Sequence, residues 1–329
     1  MDDMIATLTA RAASAIAHWD LPDQVPELLK YRENAVFKVR LRDGRPAALR
    51  LHRPAYHSPV ALASELAFMA VLRERGIAVP LPIAAADGSL LAVLPSPESS
   101  APHYADLIGW MEGEPLGDTG APLPRTGRDL PALFRVIGQE MARLHDVADG
   151  FVRAAGFERP AWDVEGLLGE SPFWGRFWDC PLLAPTQRDD LARLRDRLLP
   201  RLSALAPGLD YGLIHADLVR ENVLVADGAV AFIDFDDCGF GFRLFDLATA
   251  LLRNRHEPDY PQLRGALLEG YTAVRPQAEP DFQHLPLFLL LRALTYIGWA
   301  AARPELPDNP ARLRRYLGDI ETLANDLRV

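Results

Sequence analysis

The chain has 329 residues, of which 49% are hydrophobic, and it carries a formal net charge of −10. The hydrophobic share excludes an intrinsically disordered chain, and the length is sufficient for two lobes. Nucleic acid is not an expected partner, because binding to phosphates requires clusters of basic residues and this chain is acidic overall.

Three further features limit the class of protein. The two cysteines, Cys180 and Cys238, are too few for a disulfide framework, so a reducing compartment is expected. No basic segment followed by an apolar run opens the sequence, which favours a cytoplasmic protein. The longest apolar stretch, 285–301, contains Arg292 and falls short of a membrane span, so we predict a buried helix and no membrane partner.

The first third of the chain predicts a leading helix and an antiparallel sheet. Apolar residues at helical spacing or at alternate positions mark the elements, and Asp-Gly pairs mark the turns. The predicted elements are a helix over 4–18, strands over 36–41 and 47–51, a helix over 58–75, strands over 79–85 and 90–95, and a strand that runs into a loop over 104–116.

The middle of the chain predicts helices on either side of an aromatic, irregular segment. Helical spacing indicates helices over 132–145 and 188–205. Within this segment, residues 157–185 include Trp162, Phe173, Trp174, Phe177 and Trp178. These rings either pack the interior or form a wall for a cationic amine substrate, because aromatic faces attract cations.

A polar loop between two short apolar runs contains the residues with the most chemical information. Asp217 and Asn222 lie in the loop, and Asp234 ends the next apolar run. Asp227-Gly228 between the runs predicts a two-residue hairpin turn, which places Asn222 and Asp234 at the same open end of the hairpin. We therefore expect these three oxygen-bearing side chains to converge on one small volume.

The chemistry of this set is that of phosphoryl transfer. Mg²⁺ prefers oxygen ligands from one or two carboxylates together with substrate phosphates, and Asn222 and Asp234 suit that role. A carboxylate that the metal does not need, here Asp217, can accept the proton of a hydroxyl nucleophile. A single aspartate near a turn is more often a cap than a catalyst, and only the ordered combination favours catalysis. His215 is expected to support the loop rather than to act as an acid or base.

The last third of the chain is predicted to be helical. A helix is expected over 245–255, and residues 261–327 predict three or four helices separated by prolines. Gly239-Phe240-Gly241 follows a strand as in a dinucleotide-binding motif, but the third glycine is missing and we reject that interpretation.

Three ordered motifs resemble the aminoglycoside phosphotransferase (APH)-like family, which includes choline kinases, homoserine kinases and stress-response kinases. The motifs are His215-Ala216-Asp217-Leu218 with Asn222, Ile233-Asp234-Phe235-Asp236, and Phe245-Asp246-Leu247-Ala248. The resemblance implies an α+β, protein-kinase-like fold with two lobes. An antiparallel sheet with a helix forms the implied nucleotide-binding lobe, 1–112, and the mostly helical catalytic and substrate-binding lobe follows at 113–329.

The same resemblance implies roles for the acidic motifs. Asp217 is the expected catalytic base, and Asn222 and Asp234 are the expected Mg²⁺ ligands. Asp236 is a candidate for a second metal ion or for support of the first. Asp246 is expected to brace the catalytic loop.

A nucleotide site in the first lobe is also implied. Asn34, in the loop 31–35, is expected to cover the ATP phosphates together with backbone amides, because the loop lacks a glycine-rich motif. Trp110 and Met111 in the hinge are candidates for lining the adenine base. Considered without the resemblance, Trp110 is a core residue of the last strand of the sheet.

A second part of the implied nucleotide site departs from the protein-kinase pattern. Arg50 stands where protein kinases have a phosphate-binding lysine, and it is expected to pair with Glu65 of the following helix. Arginine keeps a permanent charge and a forked set of donors, so phosphate binding is retained on physical grounds. Considered alone, Arg50 can also be a solvent-exposed edge residue and Glu65 a solvated one. A Gly-Lys-Ser/Thr phosphate loop is excluded, because Lys30 and Lys38 are the only lysines.

The combined pattern predicts a phosphotransferase that moves the γ-phosphate of Mg-ATP to a hydroxyl of a small molecule such as an amino acid, an amino alcohol or an aminoglycoside-like compound. A protein Ser/Thr kinase of the stress-response type is less favoured, because no activation segment ending in Ala-Pro-Glu follows Asp234. A nucleotide-binding regulatory module without turnover is a further alternative, supported only by the loss of the strand lysine. An oxygen-ligand metallohydrolase requires more histidine ligands than His215 alone.

Overall fold

The computed structural model describes residues 2–31, 34–54, 56–95, 102–127, 129–304 and 308–329. The chain divides into two compact units. The first unit comprises Met1–Gly113, Phe151–Arg159 and Ala231–Asp236, and the second unit comprises Glu114–Gly150, Pro160–Val230 and Asp237–Val329. The lobe limits at residues 112 and 113 stay a prediction.

Helices and strands are both abundant, which confirms the α+β class. The helices are α1 Asp2–Ala15, α2 Pro59–Glu74, α3 Leu130–Asp149, α4 Val164–Leu168, α5 Pro185–Leu205, α6 Arg243–Leu252, α7 Tyr260–Val274, α8 Leu285–Ala301 and α9 Asn309–Leu327. The strands are β1 Glu27–Tyr31, β2 Ala35–Arg40, β3 Pro46–Leu51, β4 Ala92–Leu94, β5 His103–Gly109, β6 Glu114–Pro115, β7 Ala161–Trp162, β8 Tyr211–Ile214, β9 Val223–Ala226, β10 Ala229–Phe232 and β11 Gly239–Phe242. Short 3₁₀ segments add Ile16–Trp19, Phe177–Asp179, Ala206–Gly208, Arg220–Asn222, Arg253–His256 and Pro276–His284.

The first unit is built on a five-stranded antiparallel sheet with the order β1-β2-β3-β5-β4. Alternation along β2 and β3 buries one face, so that Phe37 lies opposite Leu49 in the core. Helix α1 and the turn that follows pack on the same core through Ala15 and Trp19. Helix α2 begins where the Ser58 hydroxyl accepts the backbone N–H of Ala61, a typical N-cap.

Two differences from the predicted sheet have local causes. Residues 79–85 are not a strand, and only an isolated bridge joins Pro82 to Ile108. Pro80 and Pro82 have no N–H to donate, so a continuous ladder cannot form there. Strand β1 was not predicted, because its positions alternate between exposed and half-buried without a clear apolar face.

The second unit is mostly helical, with short strands near the predicted catalytic loop. Strand β11 lies between β7, to which it is parallel, and β8, to which it is antiparallel. Strands β6, β9 and β10 form another small sheet, which confirms the hairpin at 227–228. The turn residues Asp227 and Gly228 both have positive φ, 49° and 79°, as a type I′ turn requires.

Helix α8 is the central helix of the second unit. It is buried along nearly its whole length, which confirms the buried helix predicted over 285–301. Together with the 3₁₀ segment before it, it forms the single stretch among the described residues that is long and apolar enough to cross a membrane. The protein interior covers 83% of its most apolar window, as for a core helix.

Helices α3 and α7 pack closely because glycines lie at their contact. A Cβ atom on Gly138 of α3 would overlap the carbonyl oxygen of Leu267 and lie 2.9 Å from the backbone nitrogen of Tyr271. A Cβ on Gly270 of α7 would overlap the carbonyl oxygen of Arg135. The clashing atoms are backbone atoms, so neither helix can relieve them by rotating a side chain.

We expect Gly138→Ala to lower the free energy of unfolding by about 2–3 kcal/mol, because the helices must separate to accommodate the methyl group. Gly265→Ala on α7 is the matched control, since nothing lies within 4 Å of its added Cβ. The control should raise stability by up to about 1 kcal/mol through helix propensity. Urea unfolding of both variants measures the difference, and equal effects would contradict the close-packing explanation.

Candidate active site

The loop after β8 contains a residue whose backbone conformation is unfavourable and needs support from its surroundings. Ala216 has a φ of 67°, in the left-handed region that non-glycine residues rarely adopt. The carboxylate of Asp246 accepts the N–H groups of His215, at 2.9 Å, and of Ala216, at 2.6 Å. Asp246 is fully buried at the first turn of α6, so its negative charge is fixed against this loop. The expected bracing contact is therefore present.

A buried chain of hydrogen bonds continues behind Asp246. His145 of α3 lies 3.0 Å from Asp246 Oδ2 through Nε2 and 2.7 Å from the Tyr271 hydroxyl through Nδ1. Burial, followed by the charge of Arg243, lowers the pKa of His145 from 6.5 to about 4. His145 is therefore neutral at pH 7, donates its Nε2–H to Asp246 and accepts a hydrogen bond from the Tyr271 hydroxyl at Nδ1.

Asp217 and Asn222, predicted to act together, are in direct contact. Asn222 Nδ2 donates to Asp217 Oδ2 at 3.0 Å and to the Asp217 carbonyl at 2.9 Å. The amide group thereby turns its Oδ1 atom away from the carboxylate, which leaves an oxygen suited to a hard cation. Asp217 is partly exposed, with 22% of its side chain accessible, as a group that receives a substrate proton must be.

The other oxygen of Asp217 is bound by a residue that sequence reasoning did not select. Arg292 of α8 donates from Nη2 to Asp217 Oδ1 at 2.5 Å. Arg292 is fully buried, and its guanidinium lies over the rings of Trp174, at 4.6 Å, and Tyr296, at 4.5 Å. The signal was a single arginine inside an otherwise apolar helix, because a buried charge requires a partner.

In the aromatic segment, Trp162, Trp174, Phe177 and Trp178 are buried, as packing predicts. The face of Trp174 is occupied by Arg292, a cation of the protein itself. The indole N–H groups of Trp162 and Trp174 donate to the Asp237 carbonyl, at 2.9 Å, and carboxylate, at 3.0 Å. These rings fix the start of the segment that leads to β11, so packing is the interpretation that the structure supports.

Asp234 and Asp236 belong to the first unit, where they lie in an acidic environment. Asp234 has a positive φ of 68° and lies 3.2 Å from Lys30 Nζ. Asp236 accepts a hydrogen bond from Asn34 at 3.0 Å through Oδ1. Its buried Oδ2 has no hydrogen-bond partner among the described residues. Burial, then the charges of Glu65 and Asp234, raise the pKa of Asp236 to about 6.

This acidic environment fits a divalent cation. An unbonded carboxylate oxygen and a raised carboxyl pKa both indicate negative charge that a cation would compensate. No group of three or more His, Cys, Asp or Glu side chains within the described ranges forms a complete cage. Mg²⁺ does not require such a cage, since it commonly binds one or two carboxylates, water and substrate phosphates.

The backbone at Asp236 is held by two further residues that the sequence did not indicate. The carbonyl oxygen of Asp236 accepts hydrogen bonds from His57 Nε2, at 2.8 Å, and from Arg159. Arg159 is buried and also donates to the Ala61 carbonyl of α2 at 3.1 Å. These contacts fix the segment that carries the predicted metal ligands.

Arg50 is at the centre of a buried charge network. It donates to Glu65 at 2.7 Å and to both oxygens of Asp106 at 2.8 and 2.7 Å. His52 lies 2.6 Å from the same Asp106. Arg50 is 4% exposed and Glu65 is fully buried, so the alternatives of an exposed edge arginine and a solvated glutamate are wrong. The pairing with Glu65 was predicted, whereas Asp106 was missed.

The remaining predicted nucleotide residues are only partly connected. Asn34 contacts Asp236 and also accepts the N–H of Arg53 at 3.1 Å. Trp110 is half-buried, and Lys38 Nζ lies 4.5 Å from the centroid of its ring. Met111, the next residue, is also half-buried. Two residues of the predicted covering loop, 32 and 33, lie outside the described residues.

The predicted site residues form a local set within each unit. Asp217, Asn222 and Arg292 are joined within the second unit. Asp234, Asp236 and Asn34 are grouped within the first unit. The convergence of both sets on one metal ion stays a prediction.

The neutral state of His145 predicts a pH-dependent stability. Its folded-state pKa of about 4 is below the unfolded value of 6.5, so the unfolded chain binds the proton more strongly between these values. The contribution of neutral His145 to the free energy of unfolding is complete above pH 6.5 and is lost as the pH falls toward 4. We expect wild type to lose about 2 kcal/mol more than His145→Gln between pH 7 and pH 5.

Urea unfolding at several pH values measures this difference, and other titrating groups cancel between the two proteins. Parallel pH profiles for wild type and His145→Gln would show that His145 titrates normally.

Comparisons with known proteins agree with this geometry. Residues 25–281 match the model of the phosphotransferase enzyme family, APH. An uncharacterised protein of Deinococcus radiodurans is 34% identical over 286 residues, covering 84% of this chain and 78% of the relative. The homoserine kinase of Agrobacterium fabrum is 30% identical over 278 residues, covering 79% of this chain and 77% of the relative.

A solved structure supports the same assignment. The microcompartment-associated aminopropanol kinase has a TM-score of 0.81 and 29% identity, covering 96% of this chain and 97% of the other. The likeness confirms the protein-kinase-like α+β fold. The chain therefore belongs to the APH phosphotransferase enzyme family, and it is a small-molecule kinase with a hydroxyl group as acceptor.

Proposed function

We propose that the protein transfers the γ-phosphate of Mg-ATP to the hydroxyl of an amino alcohol or a hydroxylated amino acid, with Asp217 as the base. The observation that carries the proposal is the Asp217–Asn222 contact on a loop fixed by Asp246. This places a partly exposed carboxylate beside an amide oxygen free to face a cation. The named functions of two relatives, a homoserine kinase and an aminopropanol kinase, support this acceptor class.

Asp217 orients the acceptor hydroxyl and receives its proton. Both of its oxygens accept a hydrogen bond, so the direction of the carboxylate is fixed. A weak base is sufficient, because phosphoryl transfer depends mainly on positioning and charge stabilisation. The proton is therefore transferred late, when the oxygen has begun to bond to phosphorus.

Asn222 and Asp234 are the proposed ligands of Mg²⁺, with Asp236 as the candidate for a second ion or for support of the first. When bound, the ion neutralises the phosphate oxygens of ATP and orients them. Asn34 and the Asp236 backbone contacts keep the carboxylate of Asp236 in place. The unbonded Oδ2 of Asp236 is the feature that supports a cation here.

The nucleotide is proposed to bind near Arg50 and Glu65, with Asn34 over the phosphates and Trp110 and Met111 near the base. Arg50 uses three of its five N–H groups on Glu65 and Asp106, which leaves one on each terminal nitrogen. A phosphate oxygen can accept these remaining hydrogens. The free, buried cysteines agree with the proposed cytoplasmic location.

Asp217→Asn tests the base. The amide cannot accept the hydroxyl proton, so we expect kcat to fall by roughly 10²–10⁴-fold with L-homoserine or 1-amino-2-propanol as acceptor. Asp227→Asn is the matched control, since the same change falls on an exposed turn residue where asparagine is favoured. Coupled detection of ADP and mass spectrometry of the phosphorylated acceptor measure the effect.

Wild-type protein that binds ATP but phosphorylates neither these acceptors nor a wider panel of hydroxyl compounds would favour a regulatory module. Turnover in Asp217→Asn within about threefold of wild type would remove Asp217 as the base.

Asp234→Asn tests the metal proposal separately. Removing one ligand charge should weaken Mg²⁺-dependent binding of a non-hydrolysable ATP analogue by roughly tenfold or more, while binding measured in EDTA should change little. Isothermal titration calorimetry with and without Mg²⁺ gives both numbers. Equal weakening in both conditions would indicate that Asp234 supports the fold rather than the ion.

A further inference from the structure

Arg292 has unusual surroundings for a charged residue in a core helix. Its side chain is fully buried in α8, and among the described residues its ion pair is with Asp217. Its Nη2 also lies 3.3 Å from the Tyr296 hydroxyl. The Nε and Nη1 atoms have no hydrogen-bond partner among the described residues. The rest of its stabilisation comes from ring faces and from the charge of nearby Asp237.

The guanidinium stays charged in this setting. Burial by itself lowers the pKa of Arg292, but Tyr296 and Asp217 raise it above its ordinary value. A buried cation with one carboxylate partner strongly favours the geometry that keeps that partner in contact. The position of Asp217 is therefore coupled to a rigid side chain on a core helix.

The two donors to Asp217 come from different parts of the second unit. Asn222, from the same loop, binds Oδ2 at 3.0 Å, and Arg292, from α8, binds Oδ1 at 2.5 Å. One donor alone leaves the carboxylate able to rotate about its bond to the chain. Donors on both oxygens fix its plane, and a base must be held within a fraction of an ångström to act efficiently.

We propose that Arg292 is a positioning residue that fixes the carboxylate of Asp217 toward the acceptor hydroxyl. This inference rests on the proposed role of Asp217 as the base. Arg292 also lies over one face of Trp174 and one face of Tyr296, so those two faces do not receive an ammonium group of the acceptor. Neither role follows from the catalytic motifs, because Arg292 lies 75 residues after Asp217.

Arg253 provides a matched comparison within the same unit. It is buried, lies 4.5 Å from the Tyr296 ring and 4.7 Å from the Tyr316 ring, and pairs with Asp319 at 2.7 Å. Like Arg292, it lies over the Tyr296 ring and forms an ion pair, but its carboxylate partner is Asp319 rather than Asp217. Arg253→Met removes a buried cation without touching the base.

We expect Arg292→Met to lower kcat by roughly 10²-fold while KM for ATP stays within about twofold. ADP formed per phosphorylated acceptor should rise, because a misplaced base impairs transfer to the hydroxyl more than hydrolysis by water. Arg292→Lys keeps the charge but not the fork, and should recover roughly tenfold of the lost kcat. Arg253→Met should lose similar thermal stability and keep kcat within about threefold.

The measurements use the full chain with Mg-ATP and either L-homoserine or 1-amino-2-propanol, followed by thermal unfolding of each variant. Equal kcat losses in Arg292→Met and Arg253→Met, or an unchanged ratio of ADP to product, would overturn the positioning role. If wild type is active and the kcat of Arg292→Met is unchanged, the positioning role is wrong and the proposed function stands. If wild type phosphorylates no acceptor, the proposed function itself is wrong.

Crystal structures of wild type and Arg292→Met give a readout that does not depend on turnover. The inference expects the Asp217 carboxylate to rotate and to lose its contact with Asn222 Nδ2 in the variant. An Asp217 side chain that keeps its wild-type position without Arg292 would overturn the inference even if activity falls.

Discussion

The site depends on one buried carboxylate that accepts backbone hydrogen bonds. Asp246 binds consecutive N–H groups of the loop in which Ala216 adopts a left-handed conformation. Such a conformation costs of order 1–3 kcal/mol and persists only where the surroundings enforce it. His145 donates a hydrogen bond to Asp246 and is held in turn by the Tyr271 hydroxyl, so helices α3, α6 and α7 jointly determine the direction of Asp217.

Buried guanidinium groups serve the same purpose in both units. Arg50 joins Asp106 of β5 to Glu65 of α2, and Arg292 joins α8 to Asp217. Each arginine is nearly or completely buried, and charge without a partner is costly there. The paired carboxylates therefore have little freedom to move. Rigid placement of charged groups is what phosphoryl transfer requires of a protein.

Local motifs in the sequence were sufficient for much of this site. The spacing of Asp217 and Asn222 determines their contact within one short loop, and the Asp-Gly pair at 227–228 determines the hairpin. Alternation and helical spacing located most elements, because each reflects a buried face. The strand predicted over 79–85 was wrong, because the prolines at 80 and 82 interrupt a segment of otherwise strand-like residues.

Partners that are distant in sequence were the part that could not be predicted. Asp106 binds Arg50 across 56 residues, and Arg292 binds Asp217 across 75. No periodic pattern relates such positions, so only the folded chain shows which buried charges meet.

The presence of an arginine at position 50 also has a practical outcome. Nucleotide probes that label kinases by acylating an amine would find no amine at this position of the proposed nucleotide site, because a guanidinium stays protonated and is a poor nucleophile. Activity-based profiling with such reagents will therefore overlook this enzyme unless they react at Lys30 or Lys38.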